Sequence, residues 1–200
     1  DALLDGRKRR SREASSFAGA AEEVAGGATG ETVFLGYEAL ASSAVLRAIS
    51  REAGSENLRL VLDRTPFYPE RGGQVGDRGS ISGDGFAFAV SDTQADEKGA
   101  IHHVGRLTDG ALPPVGSTVS AAVDAAFRKR VAANHTATHL LHYALRSVLG
   151  PEVRQAGSRV DADRLRFDFV CFVEVDDAAL RAVESLVQER IFDDAPVTTR

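Results

Sequence analysis

His135 and His139 stand one helical turn apart in Asn134-His135-Thr136-Ala137-Thr138-His139-Leu140-Leu141-His142, a stretch that continues without proline to Gly150. Ala, Leu, Arg and His favour a helix here, with Asn134 as its N-cap and Gly150 where a C-terminal cap belongs. On that helix both imidazoles project from one face toward one point, the arrangement that holds a transition metal. The same spacing suits two half-buried polar residues on an amphipathic face. His142 lies on much the same stripe and could extend the donor set to three, although its neighbours Leu141 and Tyr143 suit a packing role equally well.

A second chemically loaded stretch is Arg64-Thr65-Pro66-Phe67-Tyr68-Pro69-Glu70-Arg71-Gly72-Gly73-Gln74-Val75-Gly76-Asp77-Arg78-Gly79. Its two Pro and four Gly force turns and let backbone come close to a ligand or to another segment. Thr65, Glu70 and Gln74 bring a hydroxyl, a carboxylate and an amide. The residues alone fit a ligand-facing loop and a tight structural loop closing a barrel about equally.

The elements that must position these groups fall into three parts. Residues 1–30 read as a polar helical arm, running to about Val24 and broken by Gly26-Gly27-Ala28-Thr29-Gly30. Residues 31–125 read as a small β-barrel. Thr32–Tyr37, Leu58–Asp63, Ser80–Ser82, Phe86–Val90, Ala100–Val104 and Thr118–Val123 are strand-like runs between turn residues, and Ala41–Glu52 reads as a helix among them. Residues 126–200 read as an α+β domain: the long histidine helix, a strand pair over Arg154–Val160 and Leu165–Val175, and a helix over Asp177–Arg190. Asp176 or Asp177 caps that last helix, and Leu180, Val183, Leu186 and Val187 form its apolar face. The fold class is therefore α+β.

Composition excludes several classes of function. With 43% hydrophobic and 26% charged residues the chain is globular, and no apolar run is long enough to span a membrane. One cysteine, Cys171, allows no internal disulfide and fits a reducing compartment, the cytoplasm. On a strand, Cys171 shares a face with Phe169, which favours an apolar role over ligation. A net charge of −5 argues against nonspecific nucleic-acid binding, DNA included. Two basic clusters, Arg7–Arg12 and Arg128-Lys129-Arg130, can still touch a phosphate backbone, or serve as solvated helix faces. Starting at Asp1 and lacking methionine, the sequence reads as a piece of a longer protein.

Four blocks together resemble the editing region of the alanyl-tRNA synthetase family and the related free-standing alanyl-tRNA editing proteins. They are Asp63–Gln74, His135–Leu141, Val153–Ser158 and Leu165–Phe169, in the family's order. The resemblance covers about Thr32 to Arg200, and the basic arm before it looks like the tail of a preceding synthetase region. It implies hydrolysis of the ester joining serine or glycine to the 3′ acceptor end of tRNA(Ala). A pocket shaped for a methyl side chain cannot strongly reject either error, so a second site must clear them. The resemblance further implies that His135 and His139 bind zinc with a cysteine and a histidine from a downstream Cys-x-x-x-His motif, which would lie beyond Arg200. It makes Gln155 and His135 residues of the editing pocket and Thr65 the reader of the serine hydroxyl, and the basic cluster Arg128, Lys129 and Arg130 is then expected to contact the tRNA. ATP and alanine are expected at a catalytic domain outside this chain. The sequence departs from the family at Arg71, where a glycine is usual, and at Val170-Cys171, where Ser-His commonly follows. Two rival readings remain: a module that only docks tRNA, and an unrelated metallohydrolase using His135, His139 and His142.

Overall fold

The computed structural model describes residues 21–26, 30–52 and 55–196. Its first part contains β1 (Ala21–Gly26), β2 (Val33–Phe34), β3 (Ala41–Glu52), β4 (Leu58–Leu62), β5 (Arg64–Thr65), β6 (Gly79–Gly83), β7 (Phe86–Ala95), β8 (Ile101–Gly110) and β9 (Thr118–Val123). Then follow α1 (Ala125–Leu149), β10 (Arg154–Val160), β11 (Leu165–Val170) and α2 (Asp177–Phe192). The chain divides into two compact units, Asp1–Arg128 and Lys129–Arg200.

The first unit is a barrel. β3, β4, β8, β7, β6 and β9 pair antiparallel in that order, and β9 returns to β3, so six strands close on themselves. β3 makes closure work because it is twelve residues long. Its start, Ala41–Val45, pairs with β9, while its later part pairs with β4 on one side and β1 on the other. Side chains of period two fill the interior: Ala44, Leu46 and Ile49 from β3, Leu60 and Leu62 from β4, Ile81, Phe86, Phe88 and Val90 from the β6–β7 hairpin, and Val119 and Ala121 from β9.

Two expectations are corrected here. Ala41–Glu52 is a strand and not a helix: Ala44, Leu46 and Ala48 are buried while Ser43, Val45 and Arg47 are exposed. Cross-strand burial overrides the helix preference of its alanines and arginines. Ala21–Gly26, placed at the end of a polar helix, is instead a strand on β3; the rest of that arm and the Arg7–Arg12 cluster lie outside the described residues.

The second unit packs α1 and α2 on the two-stranded ribbon β10–β11. Ala144, Leu145, Val153 and Val183 form its buried centre, flanked by Leu141, Phe167, Phe169, Cys171, Leu186 and Val187. Asp176 caps α2, accepting from the Ala179 amide at 2.7 Å. Leu180, assigned to the apolar face of α2, is 52% exposed, so the stripe is longer than the surface that covers it. The second ribbon strand ends at Val170 rather than Val175. No described helix is long and apolar enough to cross a membrane.

Candidate functional site

In the barrel unit the loop after β5 is fastened at both ends. Asp77 accepts from the Tyr68 amide at 2.6 Å, its own amide donates to the Tyr68 carbonyl, and its carbonyl accepts from Thr93 Oγ1 at 2.8 Å. Arg71 and Gln74 exchange backbone hydrogen bonds across Gly72 and Gly73, whose φ angles are +62° and +87°. Two consecutive left-handed residues make the tight primed turn that glycine favours. Arg71 itself has no positive φ, so an arginine here is compatible with the turn.

Arg128 completes this loop. Its guanidinium donates to both oxygens of Asp77, to the Gly36 carbonyl at 2.9 Å and to the Pro66 carbonyl at 2.5 Å. Asp77 is only 3% exposed, so the arginine neutralises a buried carboxylate and ties three loop segments to the first turn of α1. This corrects Arg128 as a tRNA contact: its donors are engaged inside the unit. Lys129 and Arg130 are exposed on the same helix.

Thr65, expected to read a serine hydroxyl, is fully buried. Its Oγ1 lies 2.7 Å from His103 Nε2 and accepts from the Phe67 amide at 3.1 Å. His103 is equally sealed, sits edge-on to Phe67, and places Nδ1 2.9 Å from the Leu60 carbonyl. Burial pushes its pKa down to about 4, against a partly compensating hydrogen bond to Leu60 and with a small further push from His102.

α1 begins in the first unit, well before the histidines. Asp124 Oδ1 accepts from the Phe127 amide at 2.9 Å and caps the helix, which runs for 25 residues. Asn134 is therefore not the N-cap. It lies mid-helix and its Nδ2 donates to the Asp161 carbonyl at 2.7 Å, pinning the helix to the turn of the ribbon. His135 and His139 stack with ring centroids 5.0 Å apart. Burial, then the neighbouring His139, lowers the His135 pKa and keeps the ring neutral, the form that offers a lone pair to a proton or a metal. His142, one turn on, packs against Phe167 at 5.3 Å.

Gln155 sits in β10 opposite Phe169, and Ser158 opposite Phe167, with a bulge between Gln155 and Gly157. Paired residues share a face, so Gln155 and Ser158 belong to the ribbon face that meets His142. Gln155 is exposed and its Nε2 donates to Ser158 Oγ at 3.0 Å. Bulges of this kind re-aim a side chain. Cys171 is half-buried against the apolar centre and its Sγ–H donates to the Val173 carbonyl at 3.4 Å. Among the described residues no three His, Cys, Asp or Glu side chains gather closely enough to hold a metal, so His135 and His139 could supply at most half of a tetrahedral set, and Cys171 does not add to it.

The family model described as tRNA synthetases class II (A) matches residues 3–127. The chain belongs to that family. It is 45% identical to the alanine–tRNA ligase of Saccharophagus degradans over 209 aligned positions, with all of this chain and 23% of that protein covered. It is 44% identical to the alanine–tRNA ligase of Halorhodospira halophila, with 98% of this chain and 23% of that protein covered. The chain thus spans about a quarter of the length of these curated relatives, so this synthetase homologue is matched to one region of a larger architecture.

Within this member of the family, sequence reasoning missed three residues. Asp77 lies in the glycine-rich loop with nothing in the sequence to single it out, and His103 lies beside His102 within the strand-like run Ala100–Val104. Arg128 was placed in a basic cluster, with no sequence signal that its partner lay some fifty positions earlier. A lone acid in a loop and a histidine in an apolar strand were the available hints, since both are costly to bury without a partner.

Proposed function

We propose that this chain is the editing region of an alanine–tRNA ligase, hydrolysing the ester that joins serine or glycine to the acceptor end of tRNA(Ala). The observation that carries this reading is the ribbon face: Gln155 and Ser158 lie on the same face as Phe167 and Phe169, and Phe167 packs on His142, which follows the stacked pair His135 and His139 on α1. An amide on an apolar ribbon face and imidazoles on the helix packed against it suit a small-molecule site.

In this reading the Gln155 amide donates to the ester carbonyl or orients a water; one N–H goes to Ser158, and the second N–H and the carbonyl are the groups used. His135 and His139 are two ligands of a zinc ion whose remaining donors come from outside the described residues. Bound zinc supplies positive charge and Lewis acidity. Lys129 and Arg130 meet tRNA phosphates. ATP and alanine act at a part of the ligase this chain does not span, and the protein works in the cytoplasm.

The test is deacylation of seryl-tRNA(Ala) by the complete protein. Gln155→Ala should lower kcat/KM about a hundredfold, the usual cost of one well-placed donor, while alanine activation is unchanged. Equal rates for variant and parent would remove Gln155 from the site. The exposed Lys129 and Arg130 also suit a module that only docks tRNA; a parent protein that binds seryl-tRNA without releasing serine would favour that reading.

A further inference from the structure

We infer that the solvent face of the β10–β11 ribbon is a contact surface for the phosphate backbone of an RNA, carried by Arg154, Arg159 and Arg166. The inference rests on the reading of this chain as a region that handles tRNA, and adds to it a surface on the other side of the ribbon from Gln155.

Register divides the ribbon into two faces. Gln155, Ser158, Phe167 and Phe169 share one, and the two phenylalanines pack in the apolar centre of the second unit. Strand alternation sends their neighbours the other way: Arg154, Gly157 and Arg159 on β10, and Arg166, Asp168 and Val170 on β11. All three arginines are exposed. Arg159 stands directly opposite Arg166. Like charges paired in this way weaken a ribbon, because their Cβ atoms lie only about 5 Å apart. Asp168 relieves one of them, with its Oδ2 3.2 Å from Arg166 Nη2. Among the described residues no carboxylate pairs with Arg159. Arg154 meets Glu152 at 3.8 Å, a long contact between two exposed side chains that holds neither firmly.

The middle of this face is open. Gly157 lies opposite Asp168, and a Cβ there would come within 3.0 Å of the Asp168 carboxylate. Glycine thus leaves Asp168 room to lie against Arg166, and no long side chain stands between Arg154 and Arg159 on this side. Their β11 partners, Val170 and Arg166, are four residues apart, which spaces the two arginines by about 13 Å. One phosphate group cannot satisfy both at that distance, whereas a chain of phosphates can. The planar fork of arginine suits phosphate oxygens, and under the proposed function the polyanion at hand is tRNA. In a chain of net charge −5 the patch is local, so it orients an RNA instead of attracting any nucleic acid.

The experiment titrates tRNA(Ala) against the complete protein over a range of monovalent salt. Each phosphate contact releases condensed cations, so the slope of log Kd against log salt falls by about 0.7 to 0.9 for each arginine contact removed. Arg159→Ala and Arg154→Ala should each lower the slope by that amount and weaken binding several-fold at low salt, and the double variant should lower it about twice as far. Arg159→Lys keeps the charge and should keep the slope. Arg181→Ala removes an exposed arginine of α2 and should leave the slope unchanged. Slopes equal to the parent's in Arg159→Ala and Arg154→Ala, or a fall as large in Arg181→Ala, overturn the inference. Thermal unfolding separates contact from fold: Arg159→Ala lifts a like-charge pair, so its Tm should hold or rise, and a lower slope accompanied by a lower Tm would trace the loss to a damaged ribbon and overturn the assignment. Release of serine from seryl-tRNA(Ala) by the unaltered protein tests the underlying reading by itself. If serine is not released while the slopes fall as expected, the editing assignment fails and the phosphate surface stands.

Discussion

At the scale of single residues, burial sets the chemistry of His103. Its pKa is held at about 4 against an ordinary 6.5, so the unfolded chain binds a proton that the native chain refuses. Stability is then unaffected above about pH 6.5, falls as pH drops through the window between the two values, and levels off below it with a loss of roughly 3 kcal/mol. Denaturant midpoints at pH 7.5 and pH 5 should show a clear drop, and His103→Phe should show a smaller one. A variant that loses as much as its parent would mean other groups carry the acid sensitivity. Burial acts the same way on Arg128. Set beside Lys129 and Arg130 it looks like one of three equivalent cations, yet Asp77 and two carbonyls occupy its guanidinium while its neighbours face solvent. Charge in the sequence does not distinguish a structural arginine from a phosphate contact; desolvation of its partner does.

At the scale of elements, the loop between β5 and β6 shows which glycines matter. Gly72 and Gly73 hold left-handed conformations that cost an alanine about 1 to 2 kcal/mol each. Gly72→Ala and Gly73→Ala should each lower stability by about that amount, while Arg71→Gly should change it by no more than about 0.5 kcal/mol. Thermal unfolding of the three variants checks this, and a large loss for Arg71→Gly would show that the arginine holds the turn. The family's usual glycine at that position is thus replaceable on conformational grounds. Gly76 is constrained differently: a Cβ there would lie 2.1 Å from the Thr93 carbonyl oxygen, so two backbones must touch. The strand β3 teaches the converse lesson. Ala41–Glu52 is rich in helix formers, and only its alternation of buried and exposed residues marks it as a strand.

At the scale of the whole molecule, the two units hold separate groups of candidate residues: Thr65 and His103 in the barrel unit, the histidine pair and Gln155 in the other. Zinc binding belongs to this scale, because no single element can supply a tetrahedral set. Because no three potential ligands gather among the described residues, metal analysis of this 200-residue chain after dialysis should give well under one zinc per chain. Stoichiometric zinc that survives Cys171→Ser but is lost in His135→Ala would show that other side chains complete the site. The sequence by itself determined the family, the α+β class, the barrel's turn-punctuated strands, the helix that puts His135 and His139 on one face and the ribbon that carries Gln155, because each of these is written in local periodicity or in contiguous motifs. Only the tertiary structure decided that Arg128 serves Asp77, that Thr65 pairs with His103, that Asn134 pins a helix instead of starting it and that β3 closes the barrel. Those outcomes depend on which groups lose water together, and desolvation couples residues far apart in the chain that no local pattern connects.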